Sequence, residues 1–273
     1  MAVHGDRARC DALEAKALVG FAEFAGERPA EMLRDVAATR MSVRFVLGFG
    51  PNLPDRVASL DEVIAEWPRG AVEARAPLGP SLITFTARAD APLVPLFRTE
   101  DEVLAQGAMI VLALALDRSD VLLNPYPFTG PVGLGLGLAP WLIGGAALVQ
   151  HHPFDYPAFV HQIIETGATV TAVPGAILSE LAKDGVLGDT QCQLRRIGRI
   201  WSAAEFGNGT APTYDIGRPL FDFVPLGDLA GIVTRRNGMD ASALVPLGAV
   251  HLGENGDDAV FVETRLAGDE REI

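Results

Sequence analysis

The chain has 273 residues, of which 49% are apolar and 21% charged, and its 22 basic and 35 acidic side chains give a formal charge of −13. This composition excludes a disordered or collagen-like chain, and the length suits one large domain or a large domain with a small appendage. The acidic balance argues against nucleic-acid partners and membrane surfaces, because both carry negative charge. We therefore expect a globular protein with a sizeable core.

The first residues and the cysteine count lead us to expect a cytoplasmic protein. Residues 1–14 lack the apolar segment of a secretory signal, and Cys10 and Cys192 are too few for a disulfide framework. Residues 121–150 contain no charge and are long enough to cross a bilayer, but prolines and glycines interrupt them. We expect a buried strand, helix and strand there, and a cytoplasmic location.

The first 116 residues alternate between helical and strand-like apolar patterns. In chain order the patterns predict helices at 7–24 and 29–39, a strand at 43–49, a helix at 60–67, a strand at 82–86, an irregular segment at 87–98 and a helix at 99–116. The last helix begins with acidic residues, which the positive end of a helix dipole favours.

Strands and helices continue to alternate beyond Asp117. The expected strands lie at 121–124, 146–150 and 169–172, and the expected helices at 132–143, 156–166 and 174–183. Such alternation predicts parallel strands joined by crossover helices. After about residue 195, glycine and proline accumulate and strands are expected at 221–224, 231–235, 244–252 and 259–265, with a hairpin turn at Asn255-Gly256.

These patterns together predict an α/β fold with a mostly parallel sheet, crossover helices and a small C-terminal antiparallel β region. We expect two parts, an α/β body at residues 1–195 and a small β-rich region at 196–273.

Glycines and histidines in the middle of the chain invite two site hypotheses. The run Gly133-Leu-Gly135-Leu-Gly137 would need a glycine at position 138 to match a dinucleotide-binding fingerprint, and Leu138 stands there. We interpret these glycines as sites of close packing. His151, His152 and His161 lack the fixed spacing of a metal site, so we interpret them as exposed or hydrogen-bonding residues.

The order of three segments resembles one known family. Asn124-Pro-Tyr-Pro-Phe-Thr-Gly leads to a Gly-Gly-Ala-Ala-Leu-Val strand ending at residue 149, then to Phe154-Asp155, and then to Val170-Thr-Ala-Val-Pro174. This order is similar to that of the adenylate-forming acyl-CoA synthetase and luciferase superfamily, of AMP-dependent ligases, over residues 83–181. The resemblance implies the fold of these enzymes in a shortened and diverged form.

The resemblance also locates a phosphate-binding loop, and this chain departs from its pattern. In the family, the strand matching residues 82–86 leads into Thr-Ser-Gly-Thr-Thr-Gly-x-Pro-Lys-Gly, which holds the ATP phosphates. Here Thr86 and Pro92 match, but every glycine is replaced and Leu93 takes the position of the lysine. Backbone amides approach a phosphate closely only where small residues permit it.

The family's adenylate-binding motif, later in the chain, is also matched only in part. The family's Tyr-Gly-x-Thr-Glu segment is matched only by Gly227 and Asp228, and Asp228 is the only acidic candidate there for a metal contact. We assign no resident cofactor or metal, and ATP with magnesium enters only if ligase activity is retained. In that case Arg88 or Arg98 would replace the missing lysine, since arginine grips phosphate bidentately.

Three functions stay open. The first is a synthetase-like protein with a degenerate ATP site, which makes it a pseudoenzyme candidate. It would bind an acyl chain or an aromatic carboxylate, or it would bind a synthetase or carrier protein as partner. Phe128 and Trp141, with Val132 and Leu136, would line an apolar acyl pocket. The second is an active acid–thiol ligase completed by a partner chain, with Asp228 and Arg88 as catalytic residues. The third is a structural α/β protein unrelated to the family.

Overall fold

The computed structural model describes residues 13–67, 70, 82–86, 94–130, 132–201, 217–226, 230–237, 248–251 and 260–264. Contacts divide the chain into two compact units. The first comprises Met1–Gly79 and Ile83–Phe97, and the second comprises Pro80–Leu82 and Arg98–Ile273.

The first unit contains a small all-parallel sheet. Strands β1 (Ala17–Phe21), β2 (Phe45–Phe49) and β3 (Ala58–Ser59) pair in that order, and helices α1 (Pro29–Ala37) and α2 (Leu60–Glu66) connect or follow them. The helix expected at residues 7–24 is wrong at residues 17–21, which form strand β1. This segment pairs in parallel with β2, and pairing with a distant strand overrides the local helical spacing of its apolar residues.

Strands β4 (Leu82–Thr86) and β5 (Val94–Arg98) form a two-stranded sheet. Strand β4 has the predicted bounds. Strand β5 was not predicted, because a proline at its second position and an arginine at its end weaken the strand pattern of the sequence.

The second unit is built on a six-stranded sheet. Its elements in chain order are helix α3 (Glu100–Leu114), strand β6 (Val121–Asn124), a π-helical turn (Gly133–Leu138), helix α4 (Ala139–Gly144), strand β7 (Ala147–Gln150), helix α5 (Tyr156–Glu165), strand β8 (Val170–Pro174), helix α6 (Gly175–Lys183), a 3₁₀ turn (Val186–Gly188), and strands β9 (Arg196–Ile200), β10 (Pro219–Leu226) and β11 (Ala230–Asn237).

The sheet confirms the predicted fold class. Its order is β11-β10-β9-β8-β6-β7, with five parallel strands and the antiparallel β11 at one edge. Strands β12 (Gly248–His251) and β13 (Val260–Thr264) form the separate antiparallel pair. The division expected at residue 195 stays a prediction, and the parallel sheet continues across it through β9 and β10. The Asn255-Gly256 turn lies outside the described residues.

Each face of this sheet carries its own hydrophobic cluster. On one face α5 and α6 bury Phe159, Ile163, Leu178 and Leu181 against strand residues such as Ile197. On the other face α3 and the π-helical turn bury side chains against Leu122, Val170, Phe221 and Phe223, contributing Met109, Ile110 and Leu136. Because both faces are covered, the strands tolerate few charged residues.

Local signals set the helix ends. Helix α3 begins in a capping box in which Glu102 N donates to Thr99 Oγ1 at 3.2 Å and Thr99 N donates to Glu102 Oε2 at 2.8 Å. The acidic first turn expected from the sequence is present. The helix expected at residues 132–143 is instead divided into the π-helical turn and α4. Among the described residues, none of the helices combines the length and apolarity needed to cross a bilayer.

Candidate functional site

The carboxyl ends of the parallel strands meet at one edge of the main sheet. Strand β6 pairs with β7 on one side and with β8 on the other, so the crossovers leave this region in opposite directions. Open α/β sheets bind ligands at such a switch point, outside the carboxyl ends of the strands. The carboxyl edge between β6 and β8 is therefore the candidate site.

A side-chain amide network fixes the loop that follows β6. Asn124, at the end of β6, donates from Nδ2 to Tyr126 O and to Gln150 Oε1, both at 2.8 Å. Gln150 Nε2 donates to the same carbonyl at 2.9 Å, and Tyr126 N donates to Asn124 Oδ1 at 3.3 Å. The network ties the ends of β6 and β7 together and holds the loop in one conformation.

The glycines of the π-helical turn allow close packing on this loop. A Cβ at Gly137 would lie 2.8 Å from Asn124 Cγ, and one at Gly133 would collide with the Pro127 carbonyl. The close packing predicted for these glycines is confirmed at both positions. The turn is wound around the Asn124 network, and π-helical turns are frequent at functional sites.

Tyr126 brings an unusual polar group to this edge. Its hydroxyl is buried and, within the part of the chain that the structure describes, has no hydrogen-bond partner. The ring packs against the cluster formed by α3, the π-helical turn and the sheet. Burial raises the pKa of the Tyr126 phenol, so the group stays a neutral donor.

A small apolar cavity lies in the same cluster. It is lined by Leu114, Leu122, Leu136, Val170, Thr171, Ala172, Gly198, Phe221 and Phe223. Of the four residues expected to form an acyl pocket, Leu136 lines this cavity and Val132 packs against the cluster. Phe128, in the loop after β6, and Trp141, in α4, are both half-buried and do not line it.

Sequence reasoning missed a second set of polar side chains at this edge. Trp201 Nε1 donates to Asp222 Oδ1 at 2.9 Å, and the guanidinium carbon of Arg199 lies 3.7 Å from the centre of the Trp201 ring. All three residues are buried, and Arg199 and Asp222 are register partners in β9 and β10. The sequence does place a charged residue next to apolar ones in Arg199-Ile-Trp201 and Phe221-Asp-Phe223, and this pattern could have indicated buried charges in strands.

His151 stabilises the segment that follows β7. Its Nδ1 lies 2.8 Å from Gln162 Oε1, and its Nε2 accepts a hydrogen bond from Asp155 N at 3.0 Å. The ring is buried beside Phe154 and Phe159. Within the described residues, no group of three His, Cys, Asp or Glu side chains could hold a metal ion.

The opposite, amino edge of the sheet holds a compact ionic cluster. The fully buried Asp120 carboxylate accepts from Thr169 Oγ1 and Arg195 Nη2, both at 2.7 Å, from Arg196 Nη1 at 2.9 Å and from Asp117 N at 3.0 Å. Burial acts to raise the pKa of Asp120, but the hydrogen bonds from Thr169 and Asp117, together with the Arg196 charge, lower it overall. The cluster joins the starts of β6, β8 and β9.

Solved structures of several other proteins are similar to this chain. Acetoacetyl-CoA synthetase from Streptomyces lividans aligns with a TM-score of 0.67 and 14% identity, over 88% of this chain and 40% of its own. The anthranilate CoA ligase AuaEII in complex with anthranoyl-AMP gives 0.66 and 14%, over 82% and 43%. The N-terminal subdomain of Klebsiella oxytoca NpsA in complex with 3-hydroxybenzoyl-AMSN gives 0.56 and 13%, over 91% and 71%.

The chain has the fold of the acyl-CoA ligases. The predicted resemblance is thereby confirmed at the level of the fold, and the chain spans less than half of the length of the two whole ligases compared. No family sequence model matches the chain, and no curated protein matches it by sequence.

Most residues expected to bind nucleotide in this ligase fold remain predictions. Thr86 is the last residue of β4. Arg88, Pro92, Gly227 and Asp228 lie outside the described residues. Strands β4 and β5 flank the predicted phosphate loop as a pair.

Proposed function

We propose that this chain is a diverged acyl-CoA synthetase-like protein that no longer performs ATP-dependent adenylation and that binds an acyl or aromatic carboxylate in the cytoplasm. The observation that carries the proposal is the loop between β4 and β5, which has neither a glycine nor a lysine in residues 87–93. A ligase fold with such a loop lacks the glycines that allow close backbone approach and the lysine that offsets triphosphate charge.

Two further observations support an apolar carboxylate as ligand. AuaEII was solved with anthranoyl-AMP and NpsA with a 3-hydroxybenzoyl compound, so two proteins with this fold hold aromatic acyl groups. In this chain the Tyr126 hydroxyl is a buried donor without a partner in the described residues, beside an apolar cluster. A carboxylate or carbonyl oxygen would accept from it, and the half-buried Phe128 and Trp141 are the side chains proposed to contact an apolar body.

Calorimetry tests the loss of the nucleotide site. Titration of ATP with magnesium into the protein should give no binding heat, because the loop cannot hold the phosphates. Binding at micromolar ATP would reject the proposal.

Fluorescence tests the carboxylate site. Trp141 emission should respond to fatty or aromatic acids, and the Trp141→Phe variant, which keeps the other two tryptophans, should lose the response. A flat titration with both acid classes would reject carboxylate binding, and a response unchanged in Trp141→Phe would remove Trp141 from the site.

A second candidate is an active acid–thiol ligase completed by a partner chain. It rests on the ligase fold itself, which aligns with 40–43% of the whole ligases. Pyrophosphate exchange with a panel of carboxylic acids should then give turnover that Asp228→Ala or Arg88→Ala abolishes. Turnover that survives both substitutions would discard these two residue roles.

A further inference from the structure

Among the described residues, helix and loop side chains pack on one face of the three-stranded sheet of the first unit, and the other face is exposed. Its packed face presents Gly20 to Leu33 of α1 and Gly48 to Leu53 and Val57. The opposite face, which we call the aromatic face, consists of Val19, Phe21, Phe24, Phe45, Leu47 and Phe49.

The aromatic face is exposed and continuous. Val19 is 50% exposed, Phe21 51% and Phe45 62%. In β1 and β2, Val19 and Phe21 are register partners of Leu47 and Phe49, so these four side chains share a face. Ring contacts extend it: the Phe21 ring centre lies 5.7 Å from that of Phe24 and 5.8 Å from that of Phe49.

Physical chemistry argues against this face remaining open. Parallel sheets occur almost only with both faces covered, and soluble monomers seldom expose such patches without a function. Since a phenylalanine can bury about 150–250 Å², the exposed parts of Val19, Phe21, Phe24 and Phe45 amount to roughly 400 Å².

The net charge of the chain and the apolar area of the aromatic face both favour a second copy of this chain as the partner that covers it. The aromatic face contains no ionisable side chain, whereas the chain as a whole carries a charge of −13, so contact between two copies through this face brings the fewest like charges together. Two such faces in contact would bury about 800 Å² from these four side chains, and with the half-buried rim they reach the lower end of specific interfaces.

We propose that the aromatic face is a homodimer interface, on which the same face of a second copy of this chain packs. The dimer is isologous and of micromolar affinity, and it closes the open side of both small sheets. Because its attraction is apolar and its opposing force is the charge of the two copies, added salt strengthens it.

Sedimentation velocity of the full chain tests the interface. Between about 1 and 100 µM the mass should rise from 28.9 kDa towards twice that value, and more readily at higher salt. Phe45→Glu should weaken dimerisation by about tenfold or more, because it places a charge on each copy at the contact. Met41→Glu is the matched control, since Met41 is fully exposed and is not a member of the face.

A second variant on the aromatic face separates lost contact from added charge. Phe21→Ser removes an aromatic ring without introducing a charge and should also weaken dimerisation, while circular dichroism and urea unfolding establish that each variant folds. A wild-type chain that stays at 28.9 kDa at about 100 µM overturns the proposal, whatever else covers the face. Dimerisation equally tight in folded Phe45→Glu and Phe21→Ser, or equally weakened in Met41→Glu, overturns it too.

Discussion

The two edges of the main sheet differ in one buried polar group. At the amino edge, each oxygen of Asp120 accepts hydrogen bonds, and Thr169, Arg195 and Arg196 complete the cluster. At the carboxyl edge, the Tyr126 hydroxyl is buried without a partner in the described residues. The difference teaches that the amino edge is closed by its own hydrogen bonds, while the carboxyl edge keeps one buried donor that no described residue satisfies.

The largest effect should come from removing the centre of the amino-edge cluster. Asp120→Ala leaves Arg195 and Arg196 without their common partner. Breaking a fully buried ion pair from one side costs about 3–5 kcal/mol, and because the Arg195 side chain is 51% exposed and that of Arg196 19%, we expect a loss of about 3 kcal/mol. Urea unfolding of the wild type and the variant measures the difference. Glu165→Ala, which removes an exposed partner of His161, is the control and should change stability by less than about 0.5 kcal/mol. A loss below about 1 kcal/mol in Asp120→Ala would refute the structural role of the cluster.

A smaller loss is expected where the carboxyl edge is tightly packed. Gly137→Ala would place a Cβ 2.8 Å from the Asn124 side chain, which must move and give up its bonds to Tyr126 O and Gln150. Overpacking of this kind costs about 1–3 kcal/mol in urea unfolding. The matched control is Gly188→Ala, because a Cβ at Gly188 meets no atom within 4 Å. Equal stability of the two variants would contradict the packing argument.

The pH dependence of stability should also report on the amino edge. The pKa of Asp120 is lower in the folded chain than the ordinary value of about 3.9, so its contribution is fully present above that value and is lost as the pH falls through the folded pKa. Urea unfolding followed from neutral pH into the acid range should therefore show a loss that Asp120→Asn reduces. An identical acid profile in the variant would show that Asp120 does not carry this dependence.

The smallest effect should have the opposite sign. Tyr126→Phe removes a buried hydroxyl with no partner in the described residues and should leave stability unchanged or raise it by up to about 1 kcal/mol. The same variant should bind a carboxylate ligand more weakly, because the donor is lost. A destabilisation above about 1 kcal/mol in urea unfolding would mean that the hydroxyl already has a structural partner.

The sequence predicted the α/β class and most of the second unit because its apolar patterns there are regular. Strands at residues 121–124, 147–150 and 170–174 are short charge-free runs bounded by turn residues, and they were found within two residues of their predicted ends. The candidate site was predictable only in part. The loop at Asn124 was identified through the resemblance, while Arg199, Trp201 and Asp222 meet only because β9 and β10 pair.

By itself, the sequence determined which segments alternate between strand and helix and which loop lacks glycine and lysine, since periodicity and residue type are local properties. The tertiary structure alone decided that residues 17–21 form a strand, that the aromatic face is exposed, and that Asp120 meets two arginines more than 70 residues further along the chain. Each of these depends on partners far away in sequence, and local propensity is too weak to specify such partners.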